Sequence, residues 1–507
     1  MVVAIPNILE EAPVRLDDQT LIDIITTDAR NLTNALTELD KYRDYYESEQ
    51  PLNFATEEFI ETVGDDFSDL RSNWMEVVVE AMEERLDIQR IRIRDEEGNV
   101  DEELSNEVWR ILLLNELEQL ENDTYNGALV EGRSYIIVWP DEELGARVDY
   151  QPAQNMWVTY HPQDSKVIDR AIKRWVTPDG GQRLTLYTRD FLYKYKIEPQ
   201  GRNTNPDDVQ PRDTGWIPLD TAETGDPAWP LPNPFGEVPI VEFWNRGRKS
   251  ELKNLIPLQD ALNMSLREVL VANEFQAQRL VYIISSNKEP DGGWLASPGN
   301  VWHIQPEVDW EGNVIPTQVG SIEPSESTSI LATVETFLQH IAAISRTPSY
   351  YFYLSSKQGG RGDAPSGEAL RVTETGLLKK VQKVQSLWDL RWLRVARLIT
   401  MALSQSSEAP RSLLGETVWT HPMSHFLAIL LEEARMMIED LGLPPVVAWR
   451  HVGLTEEQIE EALNSDMVRL VPVAAEGDVV SAQRGAAGTP SAPGPPSGTS
   501  TPQTQQN

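Results

Sequence analysis

Cysteine is absent from the 507-residue sequence, which excludes disulfide bonds and thiol chemistry. Basic residues are scarce as well: 44 Lys and Arg stand against 80 Asp and Glu, for a formal net charge of −36. This balance excludes a non-specific nucleic-acid coat, because such proteins bind by neutralising phosphates with basic side chains. No apolar run approaches the ~20 residues needed to span a bilayer. The N-terminal segment has no basic region before Glu10 and Glu11, so we expect neither a signal peptide nor a membrane anchor.

The remaining composition is that of a protein with a packed core, and its charge is unevenly distributed. The apolar share is 40%, and a chain of this length predicts two to four domains at roughly 100–200 residues each. Residues 1–70 hold 17 acids against 4 bases, whereas residues 367–403 hold 3 acids against 7 bases. One segment is therefore basic inside an acidic chain. The alternative interpretation of both charge runs is that they are solvated helix faces.

The first half of the chain changes from a helical to a strand-like hydrophobic pattern. Apolar residues recur at three- and four-residue steps over 17–46, 66–90 and 102–122, which predicts three helices. A short alternating run follows the second helix, from Ile88 to Ile93. The period then becomes two, and a Pro-rich link over 227–239 closes an α+β region. Strands are predicted at 134–139, 147–150, 156–160, 171–176, 183–187 and 191–195.

After Pro239 the pattern is helical again. One long helix is expected over 250–284, with Pro257 in its first turns, and it would reach about 50 Å at ~1.5 Å per residue. Two further helices are expected over 326–345 and 366–403. The connecting segments are predicted to contain strands at 300–304 and 312–318, a Gly-rich loop at 355–365, a small helical region at 417–470 and a disordered tail at 476–507.

Short motifs give little evidence of catalysis. No G-x-x-x-x-G-K-[ST] loop is present, so the sequence lacks the phosphate-binding element of an ATP motor. The Gly-rich stretch 359–367 shares only its composition and is interpreted as a flexible loop, and Arg361-Gly362-Asp363 matches an adhesion tripeptide by chance. His421 and His425 have the i, i+4 spacing of metal ligands, but Pro422 weakens a helix there and no third ligand is evident. We expect no metal and no cofactor.

Tryptophan and carboxylate residues leave two interpretations open. Paired carboxylates beside a tryptophan-lined cleft are typical of glycoside hydrolases, although nothing in the sequence places two carboxylates in one apolar pocket. Trp294, Trp302 and Trp310 lie in the 39-residue insertion 285–323, which is too small to bury all three. Exposed aromatic side chains of this kind suit a protein–protein contact.

Four local strings are informative in their order and spacing. They are Val238–Asn245 (VPIVEFWN), Leu255–Asn263 (LIPLQDALN), the helix stop Ser345–Pro348 (SRTP), and Ser366–Leu370 (SGEAL) with Glu374 beyond it. In these strings the chain resembles the portal proteins of tailed double-stranded DNA bacteriophages, particularly those of long-tailed phages of Gram-positive hosts. The resemblance covers about residues 20–470 and departs from better-known members in the 285–323 insertion and the tail.

The resemblance implies a dodecameric ring at the capsid vertex, with a central channel through which double-stranded DNA is packaged and later ejected. It implies docking of the terminase large subunit and then of a head–tail adaptor, contacts with major capsid and scaffold proteins, and no membrane. The protein would assemble in the host cytoplasm and remain in the virion. The implied regions are a wing (1–249, helical and then β-rich), a stem helix (250–284), a clip (285–323), a second stem helix (324–346), a tunnel loop with a long tunnel helix returning to the wing (347–416), a crown (417–475) and a disordered tail (476–507).

Physical arguments agree with this division. A ring of identical subunits needs elements that pack against a neighbour, and long helices provide them. An acidic channel wall repels phosphates, so DNA can slide without strong binding. The DNA-channel candidates are Lys357 and Arg361 on the loop and Glu368 and Arg371 on the helix that follows. Any contact is expected to touch the DNA backbone only, and the alternative for the basic residues is interchain salt bridging.

Two other functions are alternatives to a portal that catalyses nothing itself. An acidic multidomain hydrolase would be a monomer with a deep pocket, and a non-catalytic adaptor module would use the 285–323 tryptophans for its partner. The long helices favour the portal, because a stem needs them and a hydrolase does not.

Overall fold

A computed structural model of the chain divides into two compact units, Met1–Gly453 and Leu454–Asn507. In the second unit the structure describes only Leu454, Ile459, Ala462 and Leu463. In the first unit it describes residues 15–51, 71–95, 97–199, 209–219, 229–277, 281–284, 307–308, 310–315, 318–321, 328–352, 367–404, 413–420, 422 and 427–452.

The described helices belong to the first unit. They are α1 (Asp18–Tyr46), α2 (Met75–Glu83), α3 (Glu102–Leu114), α4 (Leu117–Val130), α5 (Ile256–Ala277), α6 (Thr328–Ser345), α7 (Gly367–Ser404), α8 (Leu427–Glu439) and α9 (Pro445–Val452), with a 3₁₀ turn at Ser349–Phe352.

The described strands form antiparallel sheets. They are β1 (Ile88–Arg94), β2 (Arg133–Asp141), β3 (Gly145–Gln151), β4 (Met156–His161), β5 (Asp164–Val176), β6 (Gln182–Tyr187), β7 (Phe191–Ile197), β8 (Ile217–Pro218), β9 (Leu231–Pro232), β10 (Ile240–Trp244), β11 (Val281–Ile284), β12 (Glu307–Val308), β13 (Val314–Ile315), β14 (Gln318–Ser321) and β15 (Leu414–Trp419). The order β10-β2-β3 forms one sheet, and β4 to β8 run in sequence in another, where β9 also pairs with β7. The pairs β1–β15, β11–β14 and β12–β13 form two-stranded sheets. The predicted α+β class is confirmed.

Helix α1 and the six predicted strands agree closely with the sequence pattern. The Asp17 side chain caps α1 by accepting a hydrogen bond from the Thr20 N–H at 3.0 Å. The apolar stripe of α1 that contains Leu21, Ile25 and Leu32 is buried in one hydrophobic cluster with β5, β6 and β7. The helix thereby covers one face of the larger sheet.

The predicted second helix is shorter than expected. It begins at Met75 rather than at residue 66, because the Asn73 side chain accepts the Met75 N–H at 3.0 Å and the described residues 71–74 are not helical. It ends at Glu83 and is followed by β1, where Ile88 and Ile93 alternate as predicted.

The predicted single helix over 102–122 is two helices, because the chain turns at Asn115 and Glu116. Glu116 has a positive φ of 56°. The Asn115 side chain donates to the carbonyl of Ala146 at 2.9 Å and accepts from the N–H of Val148 at 3.0 Å. Hydrogen bonds to β3 thus replace the continuation of the helix, and a local pattern does not reveal them.

The helix expected over 250–284 is also shorter. It occupies Ile256–Ala277, a length of roughly 33 Å, with Pro257 in its first turn, where a missing N–H is tolerated. Val281–Ile284 is instead a strand paired with Gln318–Ser321, as its β-branched and aromatic residues favour. Of the strands expected in the insertion, 300–304 lies outside the described residues, and 312–318 contains Val314–Ile315 and the start of β14.

The region expected to be helical over 417–470 begins with part of a strand. β15, Leu414–Trp419, pairs with β1 over its whole length, from Ile88 opposite Trp419 to Arg94 opposite Leu414. Residues 417–419 therefore belong to a sheet with the N-terminal half of the chain, and the helices α8 and α9 follow it.

Helix α7 has 38 residues, and its second half lies in the largest hydrophobic cluster. The Trp388 and Trp392 side chains are fully buried there. The Trp388 indole donates to the Trp244 carbonyl and the Trp392 indole to the Tyr125 hydroxyl, both at 2.9 Å. The Tyr125 and Trp388 rings stack at 4.7 Å. These aromatic contacts fix the C-terminal half of α7 on the sheet that contains β2, β3 and β10.

Candidate functional site

The segment 353–366, which contains the expected tunnel loop, lies outside the described residues, but both of its ends are described. It connects the 3₁₀ turn Ser349–Phe352 to the start of α7. Phe352 is buried and its ring lies 5.4 Å from that of Trp74. The incoming end of the segment is therefore packed against the residue that precedes α2.

The outgoing end is fixed by a buried ion pair, which we call the loop anchor (Arg85, Tyr350, Tyr351 and Glu374). Glu374, in α7, has no exposed surface, and its carboxylate lies 3.4 Å from the Arg85 guanidinium. The same guanidinium donates to the Tyr351 hydroxyl at 2.7 Å, and the Tyr350 hydroxyl donates to Glu374. Residues on both sides of the 353–366 segment thus bind the same group.

The loop anchor is tied to the end of α2. Arg85 donates from its other terminal nitrogen to the Ala81 carbonyl at 2.7 Å. The Tyr350 and Tyr351 rings stack at 4.8 Å. Because a charge left alone in such a site is costly, the pair and its hydrogen bonds form as a unit. The base of the segment is consequently rigid.

A second contact joins α7 to the end of α6 and to the segment that precedes α5. The Lys380 ammonium in α7 donates to the Ser345 carbonyl at the end of α6 at 3.0 Å and lies 2.6 Å from the Glu251 carboxylate, just before α5. A cation at a helix C-terminus is favourable because it meets unpaired carbonyls and the negative end of the helix dipole. The predicted helix stop at Thr347-Pro348 agrees with the observed end of α6 at Ser345.

The structure brings together few of the residues predicted from the sequence. Lys357 and Arg361 lie outside the described residues. Glu368 and Arg371 lie in the first turns of α7, but their side chains are not described. Glu374, which belonged to one of the informative strings, lies at the loop anchor. No sequence pattern points to its partner Arg85, which is 289 positions away.

Of the three tryptophans in the 285–323 insertion, Trp310 lies among the described residues. Trp310 lies between the paired strands β12 and β13 and is 93% exposed. Val314, in β13, is also largely exposed. Trp294 and Trp302 lie outside the described residues, so the predicted contact surface stays a prediction for them.

The described ranges contain neither a membrane-spanning helix nor a metal-binding cluster. Within them no helix combines the length and apolar character needed to cross a bilayer. No group of three or more His, Asp and Glu side chains in the same ranges is placed to hold a metal ion. His421 and His425 lie outside these ranges.

Comparison with known proteins gives consistent matches. A family model described as phage portal protein, SPP1 Gp6-like, matches residues 27–411. The portal proteins of Mycobacterium phages D29 and L5 are each 24% identical to the chain, over 368 and 370 residues, or 68% of this chain and 67% of each relative. The solved neck of an empty GTA particle, computed with C6 symmetry, is similar over 82% of this chain and 93% of that chain, at 12% identity and a TM-score of 0.42.

The family model and the two mycobacteriophage portal proteins confirm the resemblance found in the sequence. The family model covers more than half of the chain, including the loop anchor and most of the described sheets and helices. A portal protein is a virion component that serves as the channel for DNA packaging and as the connector between head and tail. The protein belongs to the phage portal proteins of the SPP1 Gp6-like family.

Proposed function

We propose that the chain is one subunit of a dodecameric ring and that its 353–366 segment is the tunnel loop facing the DNA channel. The observation that carries this proposal is the loop anchor, in which Tyr351 and Glu374, from the two sides of the segment, bind Arg85, and Tyr350 donates to Glu374. A loop that meets moving DNA needs a rigid base, and a buried, hydrogen-bonded ion pair provides one.

In this proposal Lys357 and Arg361 touch the DNA backbone transiently, while Glu368 and Arg371 lie at the start of the tunnel helix α7. The overall charge of −36 per subunit supports weak rather than tight contacts, because acidic surfaces repel phosphates. The contacts carry no sequence information, since phosphate groups are the same at every step.

The test compares Lys357→Ala/Arg361→Ala portals with a matched control, Lys166→Ala, which removes an exposed lysine from β5. The measurement is the length of DNA packaged into capsids. We expect shorter packaged DNA for the double variant and wild-type length for the control. Wild-type length for both would refute the DNA contact.

The ring itself is tested by native mass spectrometry with negative-stain class averages. A closed ring with a central hole and a mass near twelve times 57.2 kDa is expected. A chain that stays monomeric, even when co-expressed with scaffold and capsid proteins, would refute the proposed assembly.

We further propose that residues 250–284 and 324–346 belong to the stem, that 285–323 is the clip, and that the terminase large subunit and then a head–tail adaptor dock on it. The exposed Trp310 supports this, because exposed tryptophans are typical of interface hot spots. Trp310→Ala should weaken terminase capture by assembled rings, whereas Ile217→Ala, which removes an exposed apolar residue from β8, should not. Equal capture by both variants would place docking elsewhere.

The remaining assignments are proposed on the same basis. Residues 1–249 form the wing, 347–416 return to it, and 417–475 form the crown in contact with capsid and scaffold proteins during assembly in the host cytoplasm. The pairing of β15 with β1 supports moving residues 417–419 to the wing. Portal proteins are structural, and we propose that this one catalyses nothing; ATP hydrolysis by the purified ring alone would contradict that.

A further inference from the structure

Two arginines of α7 have no anionic partner within the described part of the chain. Arg391 and Arg394 are three positions apart on one helix face and are both half-buried. The Nε atom of each is buried and has no hydrogen-bond partner among the described residues. Four other described arginines, by contrast, bind buried carboxylates: Arg43, Arg85, Arg170 and Arg248.

The Arg391 side chain stacks on Trp244 at the end of β10, and Arg394 lies near enough to Arg391 for its positive charge to lower the Arg391 pKa. The Arg391 guanidinium carbon lies 3.5 Å from the centre of the Trp244 ring, and that of Arg248 lies 4.5 Å from it. Trp244 is itself half-exposed. We call this group the Trp244 cluster; its members are Tyr160, Glu242, Trp244, Arg248, Arg391 and Arg394.

The charges of the Trp244 cluster do not balance. Glu242 is its single carboxylate and is already bound by Arg248 at 3.1 Å and by the Tyr160 hydroxyl. Three guanidinium groups thus face one carboxylate, an excess of two positive charges. Burial, together with the positive charge of Arg394, lowers the pKa of Arg391 to about 10. Arg391 is still protonated at neutral pH, so the excess persists.

Part of the cluster lies on a hydrogen-bonded turn. Arg248 is held in the left-handed backbone region, with φ of 52°. The preceding Asn245 side chain accepts the Arg246 N–H at 2.7 Å and donates to the Lys249 carbonyl at 3.0 Å. This fixed turn also places Arg246 and Lys249 at the surface next to the cluster. Such preorganisation reduces the entropy lost when an anion binds.

We propose that the Trp244 cluster is an interchain contact that receives a carboxylate from a second copy of the chain. The inference rests on the proposed ring and adds the site at which neighbouring subunits meet. With 80 Asp and Glu in each copy, a carboxylate is the anion that a neighbour supplies most readily. Partly buried arginines stacked on a tryptophan favour it, because planar guanidinium groups bind carboxylates in pairs of hydrogen bonds and both residue types are enriched in interface hot spots.

The geometry favours a protein carboxylate over DNA. Surfaces that track DNA expose mobile lysines and arginines to phosphate, whereas the Nε atoms of Arg391 and Arg394 are buried against the protein. The two half-buried guanidinium groups are therefore held in place, and a carboxylate fixed on a neighbouring subunit suits such immobile cations. The DNA backbone, which must slide, does not need them.

The test uses Arg394→Gln, because Arg394 does not stack on Trp244 and its removal leaves the aromatic contacts intact. The matched control is Arg435→Gln, which removes an equal charge from an exposed arginine paired with Glu439 in α8. Ring dissociation is followed by native mass spectrometry on dilution, and thermal unfolding is measured on separated subunits. We expect subunit contacts weakened roughly tenfold or more by Arg394→Gln, with subunit unfolding and the control ring unchanged.

Each other outcome overturns the inference. An unchanged Arg394→Gln ring would do so, and if packaged DNA were then shortened, the partner would be the DNA backbone. If Arg394→Gln destabilised the separated subunit as much as it weakened the ring, the arginine would act within its own chain. Failure of the proposed ring is distinguishable, because the wild-type protein would then form no ring to dissociate.

Discussion

Glu121 allows a quantitative prediction, because it is a buried acid with no basic partner among the described residues. Its side chain in α4 is only 6% exposed. One carboxyl oxygen accepts the Ile88 N–H at 3.4 Å, and the other has no hydrogen-bond partner among the described residues. Burial raises the pKa of Glu121 from 4.5 to about 9, and the negative charges of Asp87 and Glu118 add to the effect. At neutral pH the folded protein therefore carries this group as a neutral acid.

The sign of the pH dependence follows from proton binding. Between the unfolded pKa of 4.5 and the folded pKa of about 9, the folded state holds a proton that the unfolded state has released. Each pH unit in this window lowers the free energy of unfolding by about 1.4 kcal/mol. The cost of keeping Glu121 is thus absent below pH 4.5 and reaches about 4 kcal/mol at pH 7.5. Glutamine removes the titrating group and can still accept the Ile88 N–H.

Urea unfolding of the subunit at pH 6, 7 and 8 measures the effect. The stability of Glu121→Gln relative to wild type should increase by about 3 kcal/mol from pH 6 to pH 8. The control Glu103→Gln makes the same chemical change at an exposed position of α3 and should keep the wild-type pH dependence. A pH-independent difference between Glu121→Gln and wild type would refute the reasoning.

Three further substitutions test the packing around the candidate site. Glu374→Ala removes the buried carboxylate that pairs with Arg85 and leaves only the exposed Glu84, 3.6 Å from that guanidinium. It should lower the free energy of unfolding by about 3 kcal/mol in urea unfolding. Gly132→Ala should lower the free energy of unfolding by more than the ~1 kcal/mol that a positive φ alone costs, because the added Cβ would lie 2.9 Å from the backbone of Lys249. The control is Gly98→Ala, which also has a positive φ but has open space around the added Cβ. Equal losses of stability in the two variants would contradict the steric argument. Trp392→Phe removes the hydrogen bond to Tyr125 and should lower the free energy of unfolding by about 1–3 kcal/mol, again measured by urea unfolding. An unchanged urea midpoint would contradict the assigned hydrogen bond.

The local pattern of apolar residues was enough to predict most of the helices and strands. The alternating runs of β2 to β7 and the stripe of α1 were predictable because each element buries one face and ends at turn residues. The errors occurred where distant residues decide the conformation. Asn115 ends α3 by bonding to β3, and Val281–Ile284 leaves the helical pattern to pair with Gln318–Ser321. Neither partner is visible from the sequence around these positions.

The candidate site was predictable only in part. The family strings identified the region of Glu374 and the segment before it, because these lie close together in the chain. Arg85 and the surroundings of Trp244 are assembled from elements far apart, β10 and α7 among them. The basic run 367–403 was visible from charge alone, but its arginines differ in role: Arg397 is paired with Glu237, whereas Arg391 stacks on Trp244.

The pairing of the buried acids explains how an acidic subunit keeps a stable interior. Asp28, Glu131, Glu242 and Glu374 are each buried and each bound by an arginine. Paired in this way, they add no net charge to the interior, and Glu121 avoids charge by keeping its proton. The net charge of −36 is therefore carried by residues outside these pairs. In a ring such charges repel DNA phosphates and also one another, so subunits need local positive sites to hold together. In the proposed interchain contact, Arg391 and Arg394 of the Trp244 cluster supply such a site.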